Sequence, residues 1–366
     1  MKKTLLATAI AGAMVASGAQ AATVYNQDGT KLDVYGNIQL AVYSTTKANG
    51  ESDSQLTDNG TTFGFAAEHV IYDGLTGYMK LEFDDINADE MATGPRQDGG
   101  DTAYIGLKGN FGDVKLGSYD DLFDDWIQDP VTNNEGFDVS DSTSYAGLGG
   151  AIQTDQLTYV SPSFSGLELA IGTQFKGDGE GITSDNDPGQ FVGGENLSGD
   201  SNASVFGGAK YTAGNFSVAA MYDNLDNYEV RTQDAINAGQ EFGDRYGITG
   251  QYTMDSLRVA LKLERFESDV DGVDSTNFYG LGARYGYGQG DIYGAYQYVD
   301  VGAEDFTNEL GESLQDEQER DETYNQIIVG ATYNISDAMY TWAEAAFYDK
   351  ENDEDDGVGV GVTYMF

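Results

Sequence analysis

The residues of this 366-residue chain that could do chemistry are almost all carboxylates. There are 62 Asp and Glu, 18 Lys and Arg, one His and no Cys. Hydrolysis by a nucleophile requires a base within hydrogen-bond reach. His69, the one histidine, shares the apolar parity of an alternating stretch, where a catalytic base has no use. The donor set suits neither zinc nor a redox metal, so no metal, cofactor or enzymatic activity is expected. Asp185-Asn186-Asp187 and Asp353-Glu354-Asp355-Asp356 lack the ordered spacing of a calcium loop and read as solvated turns. No glycine-rich phosphate loop occurs, and the negative charge excludes nucleic acid as a partner. What remains is the electrostatic work of acids. Asp120, Asp121, Asp124, Asp125, Asp129, Glu135, Asp138 and Asp141 crowd one stretch, with no Lys or Arg between Lys115 and Lys176. Such crowding makes each acid harder to ionise.

The elements that must carry these residues are strands. In 31–45, Leu32, Val34, Ile38, Leu40 and Val42 share one face, and Asp33, Tyr35, Asn37, Gln39 and Tyr43 the other. The same period of two predicts strands near 61–71, 75–84, 101–109, 112–119, 153–162, 165–175, 203–213, 214–223, 243–253, 256–267, 275–287, 288–300, 323–335, 337–348 and 357–366. That makes sixteen, joined alternately by tight Gly/Asn/Asp turns and long acidic loops. Beyond its first residues the chain has no apolar run of about 18, which excludes a helical membrane protein but not a barrel whose alternate residues meet lipid. The last stretch alternates Val358, Val360, Val362, Tyr364 and Phe366 with glycines and small residues, as a closing strand should. A soluble β-sandwich is the alternative, but its edge strand would be expected to carry a charge or a proline.

The first 21 residues read as a signal peptide: Lys2 and Lys3, an apolar run from Leu5 to Val15, and Ala19-Gln20-Ala21 before the cut. Without those two lysines, 16 basic residues face 62 acidic ones, a net charge of −46. Residues 22–366 then form one domain, exported and without disulfides.

Specific segments carry a family resemblance. The start Thr23-Val24-Tyr25-Asn26-Gln27-Asp28-Gly29-Thr30-Lys31-Leu32-Asp33-Val34-Tyr35-Gly36 closely resembles that of the enterobacterial general porins. Leu75-Thr76-Gly77-Tyr78, the run from Ala103 to Lys108, the run from Phe111 to Gly117 and the run from Ser161 to Leu167 are similar to the segments flanking that family's third loop. With Phe366 the resemblance spans the whole mature chain, and the order of these segments is more specific than any one of them. It implies an all-β, 16-stranded antiparallel transmembrane barrel in the outer membrane of a Gram-negative bacterium, assembled as a homotrimer among outer-membrane lipid and lipopolysaccharide. The third loop, about 120–150, would fold inward, and the second, about 84–100, would latch a neighbouring subunit.

The resemblance also implies the site. Asp120, Asp121, Asp124, Asp125, Asp129 and Glu135 would face a pore constriction, with Glu82 and Asp101 on the wall. Relatives place arginines opposite such acids; here Thr62, Asp101, Ser118 and Thr158 stand at those positions, and Asn37 where a lysine is common. The basic half is therefore expected to be missing, and the channel to prefer cations while passing small hydrophilic solutes. Two other readings of the acids stand beside this one, simple solvation of the loop and a solubility adaptation to salt. Trp126 carries two readings: a ring on which a sugar stacks, as in a substrate-specific porin, or a ring that packs the loop against the wall. Trp342 shares parity with Glu344 and would face the lumen.

Overall fold

The computed structural model describes residues 21–84, 86–89, 92–93, 102–132, 134–145, 153–175, 203–230, 240–241, 243–269, 275–301 and 323–366. Residues 1–20 of the expected signal peptide, Asp101 and most of the second loop lie outside the described residues. Eighteen strands join edge to edge in one sheet, and every pairing between them is antiparallel. They are β1 (Ala22–Gln27), β2 (Thr30–Thr46), β3 (Ser52–Asp58), β4 (Phe63–Tyr72), β5 (Leu75–Phe83) and β6 (Thr102–Gly109). Next come β7 (Gly112–Ser118), β8 (Gln156–Val160), β9 (Leu167–Phe175), β10 (Ala203–Ala213), β11 (Phe216–Asp223) and β12 (Gly243–Met254). The last six are β13 (Leu257–Ser268), β14 (Thr276–Gly286), β15 (Asp291–Asp300), β16 (Tyr324–Ser336), β17 (Met339–Tyr348) and β18 (Gly357–Met365).

The sheet closes on β2. Its first half lies between β1 and β4, and its second half between β18 and β3. β1 and β18 thus share one position and β3 and β4 the next, so eighteen strands make a closed barrel of sixteen positions. Two features of this seam escaped the strand pattern. β1 is too short and polar to show alternation. The break between β3 and β4 is an Asp-led turn, in which Asp58 Oδ2 accepts from the backbone N–H of Gly60 at 3.0 Å and of Thr61 at 2.9 Å. Asp28 (φ 52°) and Gly29 (φ 74°) both take left-handed conformations in the two-residue turn between β1 and β2, the geometry a tight hairpin requires.

Alternation then sorts the two faces. Large apolar side chains stand exposed on the outside, such as Ile248 and Tyr252 on β12, Leu261 and Leu263 on β13, and Val358, Val360 and Tyr364 on β18. Residues of the opposite parity are buried and polar: Lys262 and Glu264 on β13, Gln297 on β15, Gln326 on β16 and Glu344 on β17. An outward apolar band and a polar interior are what a bilayer demands of a barrel. His69 lies on the outward parity, where its ring nitrogen Nδ1 meets the Thr30 hydroxyl at 2.7 Å.

The parity assignment has a direct test. Val360, 57% exposed on the outer face, should tolerate arginine badly, at a cost of about 2–4 kcal/mol near the membrane midplane. Gln251, on the inner parity of β12, should accept arginine at little cost. Urea titrations of refolding into liposomes will separate the two, and equal costs would overturn the assignment.

Candidate pore constriction

Between β7 and β8 the chain runs from Tyr119 to Asp155. Its first limb coils because its apolar residues recur at helical spacing. Leu122, Phe123, Trp126 and Ile127 line one side, through a wide turn at Asp124–Gln128 that continues into a short helix, α1 (Asp129–Thr132). Asp121 Oδ1 caps the start, accepting from the Asp124 N–H at 2.8 Å. The apolar side packs on Ala170, Phe206, Ala219 and Met221 of β9 to β11. Gly247 of β12 makes the approach possible, since a Cβ there would lie 2.4 Å from Ile127 Cγ2.

Three charged side chains of the wall's lumen face hold this segment. Arg245 of β12 is 1% exposed, and donates to Asp223 at 3.0 and 3.1 Å, to the Thr143 hydroxyl at 2.8 Å and to Asp121. Glu264 of β13 accepts at Oε1 from Gln128 Nε2 (2.8 Å), from the Ser142 N–H (2.8 Å) and from the Ser142 hydroxyl (2.5 Å). Its other oxygen lies 2.9 Å from the fully buried Lys262 ammonium. Arg245 and Glu264 thereby each tie the outgoing limb (121–128) to the returning limb (142–143). Glu344 of β17 holds the tip, accepting from the successive backbone N–H groups of Glu135 (3.0 Å), Gly136 (3.1 Å) and Phe137 (2.5 Å) and from the Tyr293 hydroxyl at 2.5 Å. Buried carboxylates with several charge-assisted donors are strong contacts.

The acids of the segment divide accordingly. Asp121 is spent on Arg245, and Glu135 on Arg284 (3.2 Å) and the Tyr340 hydroxyl (3.1 Å). Asp120 accepts from Gln153 at 3.0 Å, whereas the carboxylates of Asp125 and Asp129 make no hydrogen bond or ion pair among the described residues. Burial, then the neighbouring Asp129, pushes the Asp125 carboxyl up to about 7. Burial and then Asp120 raise Asp129, the more exposed of the two, to about 6. Asp138 is pushed to about 8 by burial and by Asp141. Asp124 is raised well above the usual range by burial and then by Asp121, with Arg245 opposing.

The expected absence of a basic half needs correction. Asn37 and Thr62 hydrogen-bond each other at 2.8 Å, Thr158 bonds the Tyr119 hydroxyl at 3.1 Å, and neither position supplies a cation. Basic residues instead rise from other positions of the wall: Lys80, Lys115, Lys210, Arg245, Arg258, Lys262 and Arg284 all lie on the lumen parity. Glu82 is buried on that face, 3.2 Å from Lys80. Trp126 is 7% exposed within the apolar cluster, with Lys210 Nζ 5.4 Å from its ring centre, so it packs the loop and offers no open face to a sugar. Trp342 shares the buried parity of Glu344, as expected. Arg245, Lys262, Glu264, Arg284 and Glu344 went unselected in the sequence; their signal was a charge on the polar parity inside an otherwise regular strand.

A closed sixteen-position barrel, apolar outside and lined with paired charges inside, is a channel scaffold of the outer membrane. The profile of the Gram-negative porins matches residues 7–364, and the chain belongs to that family. It is 68% identical, over the whole of both chains, to a protein of a Halomonas species called a monosaccharide porin and to the major outer membrane protein of Halomonas elongata. Among solved structures, Salmonella typhi OmpF in complex with daunomycin superposes with a TM-score of 0.65 at 20% identity, covering 94% of this chain and all of that one. The protein is an outer membrane porin and not an enzyme.

Removing Arg245 should expose how much the latch contributes. Arg245→Met leaves Asp121 and Asp223 buried without their cation and should cost about 3–5 kcal/mol in the same urea assay. An effect below about 1 kcal/mol, the range of an exposed ion pair, would show that the cluster does not hold the loop.

Proposed function

We propose that the segment 119–155 folds into the lumen and narrows it, making a water-filled, cation-preferring channel for passive diffusion of ions and small hydrophilic solutes. The observation that carries this is the set of lumen-face contacts at Arg245, Glu264 and Glu344, which hold the loop while leaving Asp125 and Asp129 unpaired. In a narrow aqueous passage with low-dielectric walls, such carboxylates concentrate cations. Lys115, Lys210 and Arg258 moderate the preference, so selectivity is weaker than the net charge of the chain suggests. The Halomonas relative's name supports monosaccharides among the solutes. A stacking track built on Trp126 is disfavoured by its burial, so size and charge set the limits. The resemblance of both ends to general porins supports a homotrimer set in outer-membrane lipid and lipopolysaccharide, exported by a signal peptide at residues 1–21.

The zero-current potential in a planar bilayer under a salt gradient tests the reading. It should be cation-directed at pH 8. Acidification to pH 5 passes through the raised values of Asp129 and Asp125, about 6 and about 7, so these carboxylates lose charge and the potential should shrink. An anion-directed potential would sink the cation preference, and a potential constant from pH 8 to 5 would remove Asp125 and Asp129 from it.

A further inference from the structure

On the lumen face of β5 to β7, beside the root of the loop, aromatic rings and unspent charges of both signs converge. The rings of Tyr78 and Tyr104 lie 5.9 Å apart and those of Tyr104 and Tyr119 5.6 Å apart, both edge to face. Lys115 Nζ stands 5.0 Å from the centre of Tyr104 and 3.8 Å from that of Tyr119. Among the described residues it makes no hydrogen bond or ion pair. The carboxylates whose charge acts on it are Asp125, Asp113 and Asp120, with the Lys80 ammonium opposing them. Asp113 is occupied by the Tyr78 hydroxyl and Lys80 by Glu82, whereas Asp125 is unoccupied and Asp120 has only the Gln153 amide. Tyr119 is fixed by hydrogen bonds to Thr158 and to the Lys115 carbonyl, both at 3.1 Å, so the platform is rigid.

These groups define a ligand by complementarity. A free ammonium offers donors and free carboxylates offer acceptors, and neither can be satisfied by a bare ion without setting it against the other. An anion at Lys115 would face Asp125; a cation at Asp125 would face Lys115. A neutral solute bearing hydroxyls suits both, and a tyrosine ring accepts its C–H face. We propose that Lys115, Asp125, Asp120 and Tyr104 form a weak subsite for a neutral monosaccharide, so that sugar passage saturates instead of rising without limit. This rests on the reading of the protein as an open channel.

The experiment uses the intact porin in liposomes, with uptake of radiolabelled glucose followed against concentration and the single-channel conductance in KCl recorded on the same preparation. Wild-type uptake should saturate. Lys115→Gln and Asp125→Asn should each raise the half-saturating concentration about tenfold, the worth of a lost charged hydrogen bond, while Lys115→Arg should keep most of the saturation. Asp125 sits on the loop and not in the barrel wall, so its variant tests the subsite even if a Lys115 variant folds poorly. Lys47→Gln, in an exposed turn far from the lumen face, should change nothing. Linear wild-type uptake with normal conductance, or half-saturation unmoved in Asp125→Asn, would overturn the subsite and leave the channel standing. Absence of conductance in the wild type would overturn the channel itself.

Discussion

Inside a bilayer no water is available for the backbone, so each N–H and C=O must find a partner within the protein. That constraint closes the sheet. Once β18 pairs with β2, no edge lies in hydrocarbon at that level, and the faces are no longer free to choose their chemistry. The outer parity must be apolar and the inner may be polar. A charge on the inner parity can then be kept if partners reach it, and the loop between β7 and β8 brings Asp121 to Arg245 and backbone N–H groups to Glu344.

The lumen contacts are thus the second layer of the same logic. Arg245 and Glu264 are almost wholly removed from solvent, and an isolated charge there would be costly. The wall itself gives Arg245 its Asp223 and Glu264 its Lys262, and the loop supplies the remaining partners of each. Neighbouring glycines give the loop its room: a Cβ at Gly282 would come 2.6 Å from the Val131 carbonyl oxygen. Wall and loop therefore form one cooperative unit, with contacts spanning more than a hundred residues of sequence.

This explains what was legible beforehand. All sixteen strand positions were readable because a barrel strand writes its two environments into alternate residues, as Val358, Val360 and Val362 do against Gly357, Gly359 and Gly361. The seam was less legible: β1 is short, and the break after Asp58 depends on one side chain accepting two backbone N–H groups. The site was half legible. The crowd of acids from Asp120 to Asp141 was plain, but the partners of Asp121 and Glu135 were not, because Arg245 and Arg284 meet them only after the sheet has closed. The wall cations stand not at Thr62 or Thr158 but on β5, β7, β10 and β12 to β14, where only their polar parity marks them out. Trp126 was ambiguous for the same reason, since the cluster that buries it is assembled from β9, β10 and β11.

The charge that the segment between β7 and β8 leaves uncompensated is accordingly a difference, not a count. Of the acids that crowd the loop, Asp121 and Glu135 are engaged by wall arginines, which they share with Asp223 and Asp291. On the proposed channel reading, the acids that act on a passing solute are Asp125 and Asp129, whose carboxylates have no partner among the described residues. Partial burial in a crowded acidic neighbourhood then lifts Asp125 and Asp129 toward neutrality, so that even this remainder depends on the medium. A chain with a strongly negative total can in this way present a lumen of mixed sign, where unspent lysine and unspent aspartate stand close together.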